Sequence, residues 1–222
     1  KYPITDYALT PSVAIVDPVL ARTQPRRLAS DAGFDALTHT FEAYASVYAN
    51  DFTDAMALHG AKLVWDNLDN AVNSEDPETR KAAQERMHNA ATMAGMAFGS
   101  AFLGMCHAMA HTIGALCHIA HGRTNSILLP YVIRYNAEVP EEPTSWPKYS
   151  EYIAAERYQD IARNLGLACD SPEHAVEALA GAVEDYRDNR LGMDPTFQAA
   201  GVDEDYYWSV LDQIGMRAYD DQ

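Results

Sequence analysis

Positive charge is scarce in this sequence. Its 222 residues carry 16 Lys and Arg against 32 Asp and Glu, a formal net charge of -16. Nucleic-acid binding normally needs a basic face, and anionic membrane surfaces repel an acidic one, so the expectation is no nucleic acid and no membrane partner. Cysteine is scarce as well. Cys106, Cys117 and Cys169 are too few and too scattered for a disulfide framework or a CxxC zinc site. A reducing compartment is the simplest fit, and the expected location is cytoplasmic. No uncharged apolar run reaches the roughly 18 residues of a membrane span, although 89–122 is rich in small and apolar side chains. The first ten residues, KYPITDYALT, lack the basic start and apolar block of a signal peptide. There is no HExxH, no GxSxG, no His-Asp dipeptide, no P-loop and no GxGxxG. Glu85-Arg-Met-His88 is an ExxH, but the second copy that a di-iron bundle requires is missing, so these two side chains read as solvated helix.

What is present is apolar and helical. Hydrophobic residues make up 48% of the chain, enough for one sizeable domain or one and a half. Val13–Val16, bracketed by Pro11 and Pro18, has the composition of a short strand. From Asp31 onward the periodicity is helical, with Phe34, Leu37, Phe41, Tyr44 and Tyr48 on one stripe. A second helix is expected from Asp51 or Thr53, and a third after Ser74 and Asp76 with Pro77 in its first turn. The Ala- and Gly-rich end of that third helix suggests a central buried position. Another helix should begin near Gly122–Asn125 and end before Pro140. A proline-rich loop follows over 138–150, then three amphipathic helices, with a clean start at Ser171-Pro172-Glu173. The expected fold is all-α, with one strand remnant at the N-terminal side.

Residues 104–122, GMCHAMAHTIGALCHIAHG, hold four of the eight histidines: His107, His111, His118 and His121. On a helix His107 and His111 lie about 40° apart and roughly 6 Å along the axis, so they can share a site. His107 and His121 would be roughly 21 Å apart on one straight helix. Nitrogen ligands sit about 2.1 Å from a metal, so joint ligation requires the chain to fold back between them. Gly114 and Gly122 are the expected places, with His121-Gly122 resembling a helix stop or loop entry. A carboxylate partner is available in DALTH, where Asp35 and His39 share one helical face. Asp35, His39, His107 and one further histidine would make an N₃O site suited to Fe²⁺ or Zn²⁺. A bundle with purely structural histidines is the competing reading; His59 and His174, alone on amphipathic helices, read as surface or packing residues.

The stretches GFDALTHTFEAYAS, AGMAF and HAMAHTIGALCHIAHGRTNSILLPYVIRYN together resemble the helical domain of the iron-containing (group III) alcohol dehydrogenases, with a dehydroquinate synthase-like fold. The opening KYPITDYALTPSVAIVDP resembles the C-terminal alcohol dehydrogenase half of the bifunctional aldehyde-alcohol dehydrogenases. The likeness implies a metal held by Asp35, His39, His107 and His121, with His111 beside it as a proton relay or cofactor contact. It implies residues 1–24 as the end of a cofactor-binding domain plus connector, and 25–222 as the helical metal-binding domain. It implies NAD-linked reduction of acetaldehyde, or another short-chain aldehyde, to the alcohol, with Fe²⁺ or Zn²⁺ polarising the substrate oxygen. The implied partners are an aldehyde dehydrogenase half and further copies in a homo-oligomer or filament. Two departures stand beside His121: Ala120 replaces the family's usual Pro, and Gly122-Arg123-Thr124-Asn125-Ser126 replaces GLANA. The family's glycine-rich nicotinamide-binding motif is also absent, so a metal-binding assembly module without catalysis is the alternative reading.

Overall fold

The computed structural model describes residues 6–140 and 151–221. Its helices are α1 (Arg26–Ala45), α2 (Asp51–Asn73), α3 (Pro77–Ala101), α4 (Met105–Cys117), α5 (His121–Ala137), α6 (Ala154–Leu165), α7 (Pro172–Asp185), α8 (Glu204–Ser209) and α9 (Leu211–Tyr219). The fold is all-α. The expected strand at Val13–Val16 does not form: the segment has no regular secondary structure, and Val13 and Ile15 are 77% and 88% exposed. An isolated segment has no neighbour to complete a ladder, and apolar composition alone does not supply one. Residues 141–150, most of the proline-rich stretch, lie outside the described residues.

Helix boundaries follow local chemistry. The Asn50 side chain accepts from the Phe52 and Thr53 amides while Thr53 Oγ1 accepts from the Asn50 amide, a reciprocal cap that starts α2 at Asp51, one of the two expected residues. Asp76 caps α3 with Pro77 in its first turn, and Ser171 caps α7 in the same way. The last amphipathic stretch is broken at Val210 into α8 and α9 rather than forming one helix.

The helix α1 is central and packs against α2, α3, α5 and α6. Its buried face includes Phe34, Leu37, Phe41 and Tyr44. The helix α3 is not fully buried, contrary to the expectation from its composition. Only Ala83, Ala90, Ala94, Ala97 and Ala101 are buried, a row of small side chains that lets α2 lie close, while Met96 points to solvent. No single helix among the described residues is long and apolar enough to cross a membrane, although α3 and α4 pass that test jointly across a 108° bend.

One feature holds α5 together despite an internal proline. Pro130 has no N–H for the Ser126 carbonyl. That carbonyl instead accepts from Arg187 Nη1 at 3.1 Å, at a buried position.

Candidate metal centre

Three helices meet at the site. Asp35 and His39 lie one turn apart on α1, His107 is in the first turn of α4, and His121 is the first residue of α5. The chain does fold back between His107 and His121, but at neither expected glycine. The helix α4 runs through Gly114 to Cys117, and the reversal occurs at His118, an exposed non-glycine residue in the left-handed region with φ 57°. His121 therefore opens a helix rather than closing one. Gly122 matters for a different reason: a Cβ there would lie 1.9 Å from the Asp31 carbonyl oxygen and 3.1 Å from Asp35 Cβ. Only glycine lets the start of α5 touch the backbone of α1 and bring His121 to Asp35.

The fold assembles all four expected ligand residues. Potential donor atoms of Asp35, His39 and His107 lie within 4.8 Å of one another. His121 Nε2 is 3.2 Å and His107 Nε2 3.5 Å from Asp35 Oδ1, and His39 Nδ1 is 3.9 Å from Asp35 Oδ2. The His39 ring stacks on His107 at 4.3 Å and on Phe98 at 4.5 Å. At the centre sits the Asn125 side chain. Its Nδ2 is 2.7 Å from Asp35 Oδ1, 3.1 Å from His107 Nε2 and 3.2 Å from His121 Nε2. One carboxylate oxygen and two imidazole nitrogens thus converge on one partially positive NH₂ group. A cation fits the same convergence, and a donor set of imidazoles and one carboxylate suits Fe²⁺ or Zn²⁺.

The electrostatics of the cluster reflect burial opposed by pairing. Burial raises the Asp35 carboxyl, but its His107 hydrogen bond and the neighbouring imidazoles outweigh this and hold it at about 2. Burial and the His107 charge push His39 down to about 4. Burial also lowers His107, but hydrogen bonds to Asp35 and Glu42 dominate and raise it to about 9. The carboxylates thus draw positive charge to the point where the ligands converge.

His111 lies beside this set. Its ring stacks on His121 at 5.0 Å with 12° between planes, and its Nδ1 is 2.8 Å from Asp221 Oδ2. His118 is exposed on the turn; His59 and His174 are exposed and remote in sequence from the cluster, His174 lying 3.4 Å from Asp170.

Sequence reading missed three residues here: Glu42, Asn125 and Asp221. Glu42 had a signal, because 35, 39 and 42 share one helical face. Asn125 also had one, four residues after His121. The pairing of Asp221 with His111 spans 110 positions and had none.

Comparison with known proteins places the chain in a family. The profile of the Fe-containing alcohol dehydrogenase family, C-terminal, matches residues 29–222. The aldehyde-alcohol dehydrogenase of Streptococcus pneumoniae serotype 2 is 52% identical over the whole chain, and aldehyde-alcohol dehydrogenase 2 of Entamoeba histolytica 46%. The chain spans 25% of the length of each. Among solved structures, the iron-containing alcohol dehydrogenase of Thermococcus thioreducens superposes with a TM-score of 0.79 at 35% identity, covering 98% of this chain and 50% of that one. The chain belongs to the Fe-containing alcohol dehydrogenase family, and residues 29–222 correspond to its C-terminal region.

Proposed function

We propose that this chain is the metal-binding part of an NAD-linked alcohol dehydrogenase that interconverts short-chain aldehydes, acetaldehyde foremost, and their alcohols. The observation that carries this is the convergence of Asp35, His107 and His121 on the Asn125 amide, with His39 stacked against them, in a member of this family. Asp35, His39, His107 and His121 would hold Fe²⁺ or Zn²⁺. When bound, the metal supplies Lewis acidity at the substrate oxygen and the nicotinamide carries the hydride.

The chain's own residues do the rest. Phe98 covers one face of His39 and keeps water from that side. The carboxylate of Asp221 can only accept, so it fixes the His111 proton on Nδ1 and leaves Nε2 as the atom able to exchange a proton with the substrate side. The other residues of the relatives' longer chains would supply the dinucleotide site and, in the aldehyde-alcohol dehydrogenases, an aldehyde dehydrogenase half. We assign residues 1–24 to the end of the cofactor-binding domain and residues 25–222 to the helical metal-binding domain, and the whole protein to a cytoplasmic homo-oligomer or filament.

Replacing His107 or His121 with Ala in the full-length protein should abolish both metal retention, read by elemental analysis, and acetaldehyde-dependent NADH oxidation. Unchanged metal content and rate would refute the assignment. The second reading, a metal-binding assembly module without catalysis, draws on the absence of any GxGxxG from these 222 residues. Aldehyde-dependent NADH oxidation by the metal-loaded full-length protein separates the two: turnover rejects the module reading.

A further inference from the structure

Two buried carboxylates lie outside the assigned ligand set: Asp31, which pairs with Arg123, and Glu42, which faces His107. Glu42 is 4% exposed and lies on α1, seven residues after Asp35 and three after His39, on the same side of the helix. Its Oε1 accepts from the Cys106 amide at 2.7 Å. Its Oε2 lies 3.2 Å from the His107 amide and 2.5 Å from His107 Nδ1. Burying a carboxylate in an apolar core is costly unless its lone pairs are used, and here each oxygen faces N–H groups.

The local backbone is built around this contact. The helix α4 begins at Met105 behind Gly104, which offers no side chain of its own to cap it. A Cβ on Gly104 would sit 2.9 Å from Glu42 Oε1. Glu42 therefore caps α4 from a neighbouring helix, in the space a capping side chain would need, and the same carboxylate reaches the imidazole. The other ring nitrogen, Nε2, is the one that faces Asp35 and Asn125. Asp35 Oδ1 can only accept, so the Asn125 group 2.7 Å from it is the NH₂; that NH₂ is 3.1 Å from Nε2. Nε2 thus presents a lone pair to Asn125 or carries a proton towards Asp35; in both arrangements Nδ1 keeps its own proton and donates it to Glu42.

We propose that Glu42 is the positioning residue of the metal centre: by accepting the Nδ1 proton of His107 it fixes the ring's tautomer and rotation so that Nε2 is the ligand atom. This rests on the ligand assignment made above. Glu42 does not touch the metal or substrate. It acts through His107, as outer carboxylates do behind metal-bound imidazoles, where their loss typically weakens metal affinity about 10–100-fold.

The test uses the full-length protein with Zn²⁺ for affinity, by chelator competition, and Co²⁺ for its absorption spectrum. Glu42→Gln keeps one carbonyl oxygen for the Cys106 amide but places an NH₂ opposite the Nδ1 proton. The expected result is a folded protein by circular dichroism with Zn²⁺ affinity about 10–100-fold weaker and a shifted Co²⁺ band. Wild-type affinity and spectrum in Glu42→Gln, while His107→Ala loses the metal, would overturn the role of Glu42 and leave the ligand assignment standing. Full Zn²⁺ binding by His107→Ala would overturn both. If Glu42→Gln does not fold, the Zn²⁺-loaded wild-type crystal structure decides: coordination through Nε2 with Glu42 hydrogen-bonded to Nδ1 supports the proposal, and coordination through Nδ1 rejects it.

Discussion

Asp221 Oδ2 lies 2.8 Å from His111 Nδ1, tying the residue just beyond α9 to the second turn of α4 beside the ligand cluster. An aspartate oxygen accepts, so the imidazole is held as the Nδ1–H tautomer. If His111 exchanges the substrate proton through Nε2, Asp221→Asn should slow turnover without removing the metal. The expected loss in acetaldehyde-dependent NADH oxidation lies between about 10-fold and the roughly 10²–10⁴-fold that a missing acid–base group costs. Metal content by elemental analysis should stay at the wild-type level. An unchanged rate in both Asp221→Asn and His111→Ala would remove His111 from the mechanism.

The close approach of α5 to α1 gives a second prediction. A methyl group at Gly122 would meet the Asp31 carbonyl at 1.9 Å, a backbone atom that cannot swing aside. Gly122→Ala must push the start of α5 away and carry His121 with it. We expect a stability loss of at least about 1–3 kcal/mol, the usual cost of overpacking, together with reduced metal content. Gly181→Ala in α7 is the control, because a Cβ there meets nothing within 4 Å. It should be neutral or stabilising by roughly 0.5–1 kcal/mol. Thermal denaturation of both variants, with metal analysis of each, tests the contrast.

Much of the site was legible because helix geometry is rigid. The spacing of Asp35 to His39 and of His107 to His111 fixes which side chains share a face, and the distance from His107 to His121 demands a reversal between them. The position of that reversal was not legible, because turn chemistry usually announces itself with glycine or proline. Here His118 takes the left-handed conformation itself, with no glycine or proline between Gly114 and Gly122. Gly114 lies inside α4, and a glycine tolerated inside a helix looks the same in sequence as one that ends it. Val13–Val16 has the composition of a strand, but a strand needs a partner that composition does not reveal. Long-range pairs such as His111 with Asp221 are products of packing and leave no local pattern.

The turn at His118 yields a prediction that separates neighbouring histidines. His118 is exposed and has φ 57°, a conformation that Asn adopts readily. His118→Asn should therefore change stability by no more than about 0.5 kcal/mol, as for an ordinary surface position, and retain full metal content. His121→Ala, three residues on, should lose the metal. Equal metal loss in both variants would show that His118 contributes a ligand and that the geometry around Asp35 has been misassigned.

The proline in α5 supplies the last prediction. With no N–H at Pro130, the Ser126 carbonyl depends on Arg187 Nη1 for its hydrogen bond, and both residues are buried. Arg187→Leu keeps an apolar filling in that space but leaves the carbonyl without its donor. An unsatisfied buried acceptor costs about 1–3 kcal/mol. At roughly 2–4 °C per kcal/mol for a chain of this size, the melting temperature should drop by several degrees. Reintroducing the helical N–H tests the cause directly. In Pro130→Ala the residue 130 amide can bond Ser126 itself, so Arg187→Leu should cost less in that background. Equal costs in both backgrounds would mean that Arg187 stabilises α5 through its packing and its contact with Asp188, not by serving the orphaned carbonyl.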